Sequence, residues 1–506
     1  MATTQTAHPA PVPARTIFGQ PRWFATLFLT DMWERFSFYG MQAILFLFAV
    51  SPVSEGGLGL SPAEATALFG LYMALLFIAA VPGAWLGDRV LGARRATLFS
   101  GMVITAGHVC MALPAGWTVW AGLALIIAGT GLLKPNMSAL LSGFYGPGDT
   151  ERREAAFSVF YMSIQVSALI APVVTGFLGE TVDWHLGFGA AAVGMAFGVI
   201  QFAAGRRHFG HVGALPINPA SRAERARAFR RAGIWAGVAV AAVLADGLAG
   251  TLRIEHVLIP VGVLVLAVPV FQFRTLLRHP RLTAAERSRV LGFVRLFLSS
   301  AIFWMIFTQS GSVLSLFARE SVDRDVLGFV IPASWFQGAH PLFILVMAPL
   351  FAYAWVRLGR HADVPAKFAL GLGLVGLSYV LMALISLSAG EGGSGGADGG
   401  GTVSPLWLLT VFFLQACGEL ALAPVGISAA GSAAPAFYTS RMMGVWWVSA
   451  AVGAAVGGRV GQLAGAVPAH LYYACLGGVA LLAGAVLLAR RRRLALLLTA
   501  ADPARV

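Results

Sequence analysis

Residues 23–50 have the sequence WFATLFLTDMWERFSFYGMQAILFLFAV, a long apolar stretch that holds three ionisable side chains. About 20 apolar residues suffice for a helix to cross the hydrocarbon core of a bilayer. A charge at the bilayer centre costs at least about 2.5 kcal/mol, so Asp31, Glu34 and Arg35 need partners or a water-filled cavity. Their spacing of i, i+3 and i+4 places them on one helical face. We expect that face to point into a bundle of helices.

Similar apolar stretches recur along the whole chain. Of its 506 residues, 58% are apolar and 11% are charged, whereas soluble proteins carry about 25% charged residues. This composition excludes a soluble globular enzyme, and the continuous apolar runs exclude an outer-membrane barrel, whose strands alternate. Stretches of spanning length lie at about 23–50, 63–87, 97–114, 118–143, 156–178, 187–204, 232–250, 255–273, 291–317, 341–357, 366–388, 404–428, 442–465 and 470–489. The sequence therefore predicts an all-α polytopic membrane protein with 14 transmembrane helices.

The order of these stretches predicts the major-facilitator fold, with two six-helix bundles and a substrate site near midplane. The predicted domains are an N-terminal tail (1–22), an N-terminal bundle (23–204), linkers with a two-helix hairpin (205–290), a C-terminal bundle (291–489) and a C-terminal tail (490–506). Arginines concentrate at 204–231, where Glu224 is the one acid, while 51–62 has no basic residue. We therefore expect both tails and the linkers to be cytoplasmic, and the glycine-rich Gly390–Gly401 to be extracellular.

The net charge of +13 does not indicate a nucleic-acid partner, because the basic residues cluster in short segments between apolar stretches. That distribution is typical of membrane topology. The three cysteines lie singly in apolar stretches, so we expect no disulfide. The sequence also lacks a nucleophile with a matching base and lacks residues at metal-ligand spacing, so we expect no enzyme activity, metal or cofactor.

Two further ionisable residues lie deep in apolar stretches. Lys134 is one of only two lysines in the chain, and Glu419 lies in a stretch that Pro424 interrupts. A buried lysine can pair with a carboxylate or release a proton. A pair such as Glu34 with Lys134 can equally serve only to fix helix register. We interpret His108 as a packing residue.

Five segments resemble motifs of the proton-dependent oligopeptide transporter family, the peptide branch of the major facilitators. Asp31–Gly40 resembles the family's Glu-x-x-Glu-Arg-Phe-x-Tyr-Tyr motif, and Ala156–Gln165 is similar to its fifth-span signature. Phe303-Trp304, Pro332–Gln337 and Gly418–Leu420 are similar to the motifs of its seventh, eighth and tenth spans. The likeness extends from about residue 20 to 465 and covers several long motifs in the same order.

The resemblance implies proton-driven symport of di- and tripeptides by alternating access, carried out by a monomer in a bacterial inner membrane. The implied substrate-binding residues are Arg35, Tyr39, Phe77, Lys134, Gln165, Trp335, His340, Glu419 and Trp446, and the implied proton-coupling residues are Asp31, Glu34, Lys134 and Glu419. Arg35 and Lys134 would bind the peptide carboxylate and Glu419 the amino terminus. A salt bridge of Glu34 with Lys134 would couple protonation to opening.

The chain departs from the family pattern at several of these positions. Aspartate replaces glutamate, phenylalanine replaces two tyrosines, and glutamine and histidine replace two asparagines, at Asp31, Phe38, Phe77, Gln165 and His340 respectively. Thr308 stands where many members carry a seventh-span acid used in proton transfer. Either the remaining acids carry the proton, with His340 adding a group that titrates near neutral pH, or coupling is weakened and the substrate has changed.

Two alternative functions remain open, the first because of these departures and the second because a receptor needs only the binding pocket. The first is transport of another small charged or peptide-like solute by the same fold, with weakened or altered proton coupling. The second is a receptor that binds the solute without moving it. Transport assays distinguish both from peptide symport, because a receptor does not exchange solute across the bilayer.

Overall fold

The computed structural model describes residues 16–17, 20–146, 149–251, 253–359, 362–388, 402–435 and 438–499. Most of the predicted N-terminal tail, residues 500–506 of the predicted C-terminal tail and the glycine-rich Gly390–Gly401 lie outside these ranges.

Helices account for nearly all of the described chain. In chain order they are α1 (Arg22–Val50), α2 (Pro62–Ile78), α3 (Ala80–Leu86), α4 (Ala93–Met111), α5 (Gly116–Ser142), α6 (Thr150–Phe177), α7 (Trp184–Gly205), α8 (Arg222–Leu248), α9 (Ile254–Leu277), α10 (Ala284–Phe307), α11 (Val313–Ser321), α12 (Ala339–Leu358), α13 (Val364–Ser388), α14 (Pro405–Ala433), α15 (Thr439–Gly461), α16 (Ala469–Ala489) and α17 (Arg491–Leu498). The predicted all-α polytopic architecture is confirmed.

Each of the predicted spanning stretches is helical over most of its length, and the stretches 63–87 and 291–317 are each divided between two helices, α2 with α3 and α10 with α11. Within the described residues, 11 helices are long and apolar enough to cross a membrane. The other three long helices are α1, α4 and α15, and each carries at least two charged side chains. On α1 these include the three ionisable residues of the opening motif, so the most polar span is also the one that carries the candidate site.

Two short strand pairs and several short 3₁₀ and π-helical turns are also present among the described residues. β1 (Thr16–Ile17) pairs antiparallel with β2 (Gln20–Pro21), and β3 (Asp325–Val326) pairs antiparallel with β4 (Phe329–Val330). Leu327 and Gly328 form the tight turn between β3 and β4, with φ of 57° and 85°. Tight two-residue hairpin turns need positive φ at their central positions, which glycine adopts freely and leucine seldom does.

Packing divides the described residues into two units. Unit 1 is drawn from Met1–Met41, Ala79–Thr175 and His185–Leu252, and unit 2 from Gln42–Ile78, Gly176–Trp184 and Arg253–Val506. These units group segments by contact, and the predicted domain boundaries, which follow the order of the spans, remain a prediction.

The interior of unit 1 is an aromatic and aliphatic core at the start of α1. Trp23 stacks on Phe144 with ring centroids 3.8 Å apart, and Phe209 packs edge-on against Phe144. The Asn136 amide on α5 donates to the Gly83 carbonyl on α3 over 3.1 Å. This buried hydrogen bond fixes α3 against α5 beside the candidate site.

In unit 2, α2 crosses α15 with almost no side chain between them. A Cβ atom built on Gly70 would lie 2.5 Å from the Cα atom of Gly458, and one built on Gly458 would lie 2.9 Å from the Cα atom of Gly70. Real Cβ atoms do not approach so closely, so only glycine fits at either position. Small residues permit such crossings in membrane helices, where tight packing replaces the hydrophobic effect as the source of association.

The predicted C-terminal tail contains a short helix. Leu494 on α17 is buried, and Leu498 packs against Gly292 at the start of α10. The three arginines Arg491–Arg493 at the beginning of the helix are exposed. The helix thus carries its arginines in the first turn and leucines in the second.

Candidate functional site

Three charged side chains of α1 are buried together in unit 1. Asp31, Glu34 and Arg35 are 3%, 0% and 8% exposed. The Arg35 Nη2 atom lies 2.7 Å from Glu34 Oε2, and its Nε atom lies 3.7 Å from Asp31 Oδ1. The expectation that these residues share one inward-facing side of a helix is met. One guanidinium is placed to stabilise two carboxylates, which offsets part of the cost of burying them.

Lys134 on α5 adds a second cation to this cluster. Its Nζ atom lies 4.4 Å from the ring centroid of Phe38, and Arg35 Cζ lies 5.5 Å from the same centroid. Lys134 is also near enough to Arg35, Glu34 and Asp31 for electrostatic interaction. Both cations therefore share the negative face of one aromatic ring, at a position where the resemblance leads one to expect a tyrosine.

The unit 1 cluster has polar neighbours on α6. The Ser163 hydroxyl lies 2.7 Å from Asp31 Oδ2, and Ser167 donates to the Met32 carbonyl over 2.7 Å. Gln165, which lies between these two serines along the chain, is also buried. Ser163 belongs to the motif Ala156–Gln165, but the sequence analysis did not predict it as a site residue. The feature of the sequence that could have identified it is a polar serine inside an apolar span that carries a family motif.

Tyr39 follows Phe38 directly on α1. The two rings meet edge to face with centroids 5.0 Å apart. Tyr39 is therefore held next to the ring that both cations face.

Unit 2 holds a second buried pair of titratable side chains. The His340 Nε2 atom on α12 lies 3.3 Å from Glu419 Oε2 on α14, although the two are not aligned as a hydrogen bond. The Phe307 ring packs edge-on against the His340 ring at 4.9 Å. Sequence reasoning named both residues for the site without placing them together. Their proximity makes the charge of the imidazole and that of the carboxylate depend on each other.

Thr308 follows Phe307 and has a purely structural hydrogen bond. Its hydroxyl donates to the Trp304 carbonyl one turn earlier in α10. The next residue, Gln309, donates to the Met305 carbonyl over 3.1 Å and accepts from the Tyr472 hydroxyl. Thr308 and Gln309 therefore provide no titratable group. Their polar side chains form hydrogen bonds at the C-terminal end of α10.

The two adjacent tryptophans of α15 have different environments. Trp446 is 1% exposed, and its ring packs against Phe293 and Phe368, so in this conformation it does not face a solute. Trp447 is 44% exposed and stacks on Phe77 with ring centroids 6.2 Å apart. The structure thus pairs the predicted Phe77 with Trp447, which sequence reasoning did not name. Consecutive residues on a helix point about 100° apart, which is consistent with the different environments of Trp446 and Trp447.

The loop before α12 is held by a carboxylate that sequence reasoning missed. Glu180 accepts hydrogen bonds from the backbone N–H groups of Ala333 and Ser334 over 2.8 Å and 2.9 Å. Burial lowers the pKa of Arg324, a shift that Glu180 opposes and Arg319 reinforces. Trp335 lies in this segment and packs against Phe329 of β4 at 5.8 Å. These contacts fix the backbone around Trp335.

Comparisons with known proteins agree on the family. A family model described as the POT family matches residues 94–473. The di-/tripeptide transporter of Lactococcus lactis subsp. cremoris is 35% identical over 94% of this chain and 96% of its own length.

Solved structures of POT transporters are similar to this chain in fold. A crystal structure of the peptide transporter POT in complex with sulfate has 40% identity and a TM-score of 0.90, covering 96% of this chain and 97% of that one. A POT family transporter in complex with 5-aminolevulinic acid has 34% identity and a TM-score of 0.90, covering 96% and 99%.

Proposed function

This chain belongs to the POT family, and on that premise we propose that it is a proton-coupled symporter of di- and tripeptides that works by alternating access. It is a multi-pass membrane transporter and not an enzyme. The L. lactis relative named a di-/tripeptide transporter supports the substrate class. Transport of another small charged solute with altered coupling is not favoured by these comparisons.

The observation that carries the proposal is the composition of the buried unit 1 cluster. It contains two acids, Asp31 and Glu34, and two bases, Arg35 and Lys134, so it is neutral when all four are ionised. A solute carboxylate that binds to either base leaves one acid without its compensating cation. An uncompensated buried carboxylate is costly, and taking up a proton removes that cost. Binding of a peptide carboxylate and uptake of a proton are thereby linked.

We assign Arg35 and Lys134 to the peptide carboxylate, because a guanidinium and an ammonium offer complementary donors for it. The sulfate in the related POT crystal structure is an anion bound by a similar protein and supports this choice of chemistry. Tyr39 and Gln165 contribute hydroxyl and amide groups near the same cluster. Selective contacts to the peptide's side chains are not needed, since a transporter of many peptides has to tolerate their variety.

Glu419 supplies the anion that the peptide's amino terminus requires. His340, at 3.3 Å, is the group that can compete for it. When His340 is protonated it compensates Glu419, and when it is neutral the carboxylate is available to an ammonium group. We propose that this pair, together with Asp31 and Glu34, replaces the acid that is missing at Thr308.

For the apolar walls of the site we propose Phe77, Trp447 and Trp335. Trp447 takes the role first expected of Trp446, because it is exposed and Trp446 is enclosed. We further propose that the protein acts as a monomer in a bacterial inner membrane, with both termini in the cytoplasm, as the arginine distribution predicts.

The decisive experiment is uptake of labelled dialanine by proteoliposomes. An inward proton gradient should drive accumulation above the level reached without a gradient, and a protonophore should abolish the difference. Counterflow should persist with the protonophore, because exchange needs no net proton movement. Binding without counterflow would instead identify a receptor. Failure to accumulate any of several dipeptides would favour a different solute.

A further inference from the structure

A groove outside the candidate site runs along α9, α10 and α15 in unit 2. Its volume is about 670 Å³, which is within the usual range for small-molecule sites. The apolar lining residues are Leu266, Pro269, Val270, Phe273, Leu277, Val294, Phe297, Leu298 and Val452. The other lining residues are Arg274, Arg278 and Arg287.

The sequence of α9 explains why the groove is apolar along its length and cationic at one end. Leu266, Val270, Arg274 and Arg278 follow each other at intervals of four residues, so they lie along one helical face. The α9 helix ends at Leu277, so the two arginines mark its C-terminal end. Arg287, from the first turns of α10, faces the same end.

The turn between α9 and α10 locates the cationic end at the membrane surface. The turn comprises residues 278–283, between two helices long enough to span. Irregular backbone exposed to lipid does not occur in the hydrocarbon core. The turn and the three guanidinium groups beside it therefore lie at headgroup level, and the apolar groove extends from them towards the acyl chains.

Within the described part of the chain, the three guanidinium groups form no ion pair. Among the described residues, no carboxylate lies within 4 Å of Arg274, Arg278 or Arg287. The acid at the start of α10, Glu286, is buried, and its carboxylate accepts the backbone N–H of Thr283 over 3.0 Å in a helix cap. All three arginines are exposed. An external anion can therefore reach the cationic end of the groove.

We propose that this groove binds a phospholipid with an anionic headgroup, whose phosphate contacts Arg274, Arg278 and Arg287 and whose acyl chain packs along the apolar face of α9 and α10. Guanidinium groups bind phosphate oxygens through paired, charge-assisted hydrogen bonds. Basic pockets between membrane helices on the headgroup side are suited to such lipids. Phe273 and Phe297, whose rings meet edge to face at 5.2 Å, form an apolar floor for the chain.

The test measures lipid retention by the purified full-length protein. Phosphatidylglycerol and phosphatidylcholine with identical acyl chains are titrated separately, and bound lipid is counted by native mass spectrometry. The unmodified protein should retain one phosphatidylglycerol that phosphatidylcholine does not replace. The R274Q/R278Q/R287Q variant should bind that lipid about 100-fold more weakly.

The matched control is R227Q/R230Q/R231Q, which removes the same number of exposed charges from α8. It should retain the lipid as the unmodified protein does. A second variant, Val270→Trp, keeps every arginine and fills the groove at an exposed position, and it should also lose the lipid. The proposal is overturned by equal retention in the two triple variants, by retention in Val270→Trp, by equal binding of both lipids, or by displacement of phosphatidylglycerol by inorganic phosphate alone.

Discussion

Glu34 is fully enclosed, and its carboxylate lies 2.7 Å from the guanidinium of its neighbour in the chain, Arg35. We propose that Glu34 is the residue on α1 that couples uptake of a proton to binding of a solute carboxylate.

Replacing Glu34 by glutamine should abolish proton-driven accumulation of dialanine while leaving counterflow measurable. The amide keeps the shape of the side chain but cannot take up a proton. The control is Glu55→Gln, an exposed residue in a short 3₁₀ turn, which should leave both activities unchanged. Equal loss of accumulation and counterflow in Glu34→Gln would mean that Glu34 is needed for folding or binding and not for coupling.

Glu419→Gln tests the other half of the charge assignment. It should weaken binding of dipeptides with a free amino group by about tenfold or more, which corresponds to one lost charge-assisted hydrogen bond. N-acetylated dipeptides bind without that contact and should be affected much less. Competition against labelled dialanine measures both classes. Identical losses for free and acetylated peptides would contradict the assignment of Glu419 to the amino terminus.

At the level of single residues, sequence reasoning succeeded where charge was the signal. Glu34, Arg35 and Lys134 stood out because charges are expensive in apolar spans, and the structure buries Arg35 between the two acids of α1. It named Trp446 for the site and did not name Trp447, although both are aromatic residues of the same helix and the sequence does not distinguish them. Their orientation depends on how α15 packs, which its own sequence does not specify.

Among the elements, α15 makes two tight crossings with different faces. Gly458 contacts α2 at Gly70. A Cβ atom built on Gly457 would lie 2.5 Å from the Met305 carbonyl oxygen of α10. These two consecutive glycines thus allow α15 to pack closely against α10 and α2, so its backbone is in contact with a helix on two sides.

Gly458→Leu should separate α2 from α15 and destabilise the protein by about 1–3 kcal/mol, the usual cost of overpacking. Thermal unfolding in detergent, followed by intrinsic fluorescence, measures the effect. Gly444→Leu is the matched control on the same helix, because a Cβ atom there meets nothing within 4 Å. It should leave the melting temperature unchanged or raise it, since leucine favours helix more than glycine does. Equal melting temperatures of the two variants would show that the close approach at Gly458 is unimportant.

The long helices could be predicted from the sequence, and the short elements could not. Apolar stretches of 17 or more residues are a strong signal, and all of the predicted ones are helical. The β3–β4 hairpin was missed because its turn uses Leu327, which is not a turn-forming residue. The α17 helix was missed because a run of arginines followed by leucines also suits an unstructured basic tail.

On the scale of the whole molecule, symport predicts the direction in which a proton gradient moves the peptide, and not only that transport depends on the gradient. A carrier that moves peptide and proton together is reversible. Vesicles loaded with labelled dialanine and made acidic inside should therefore lose peptide faster than vesicles at equal pH on both sides. A protonophore should remove the difference. Faster loss from vesicles made alkaline inside would indicate exchange of peptide against protons and would contradict symport.

The crossing of α2 and α15 is formed by atoms that carry no charge, take up no proton and have no rotamers. Acidity and ionic strength therefore have no direct means of loosening it. We expect any movement that separates these helices to be driven by solute bound elsewhere or by the lateral pressure of the surrounding acyl chains. Uptake rates should accordingly vary with bilayer thickness and lipid packing even when the proton gradient is held constant.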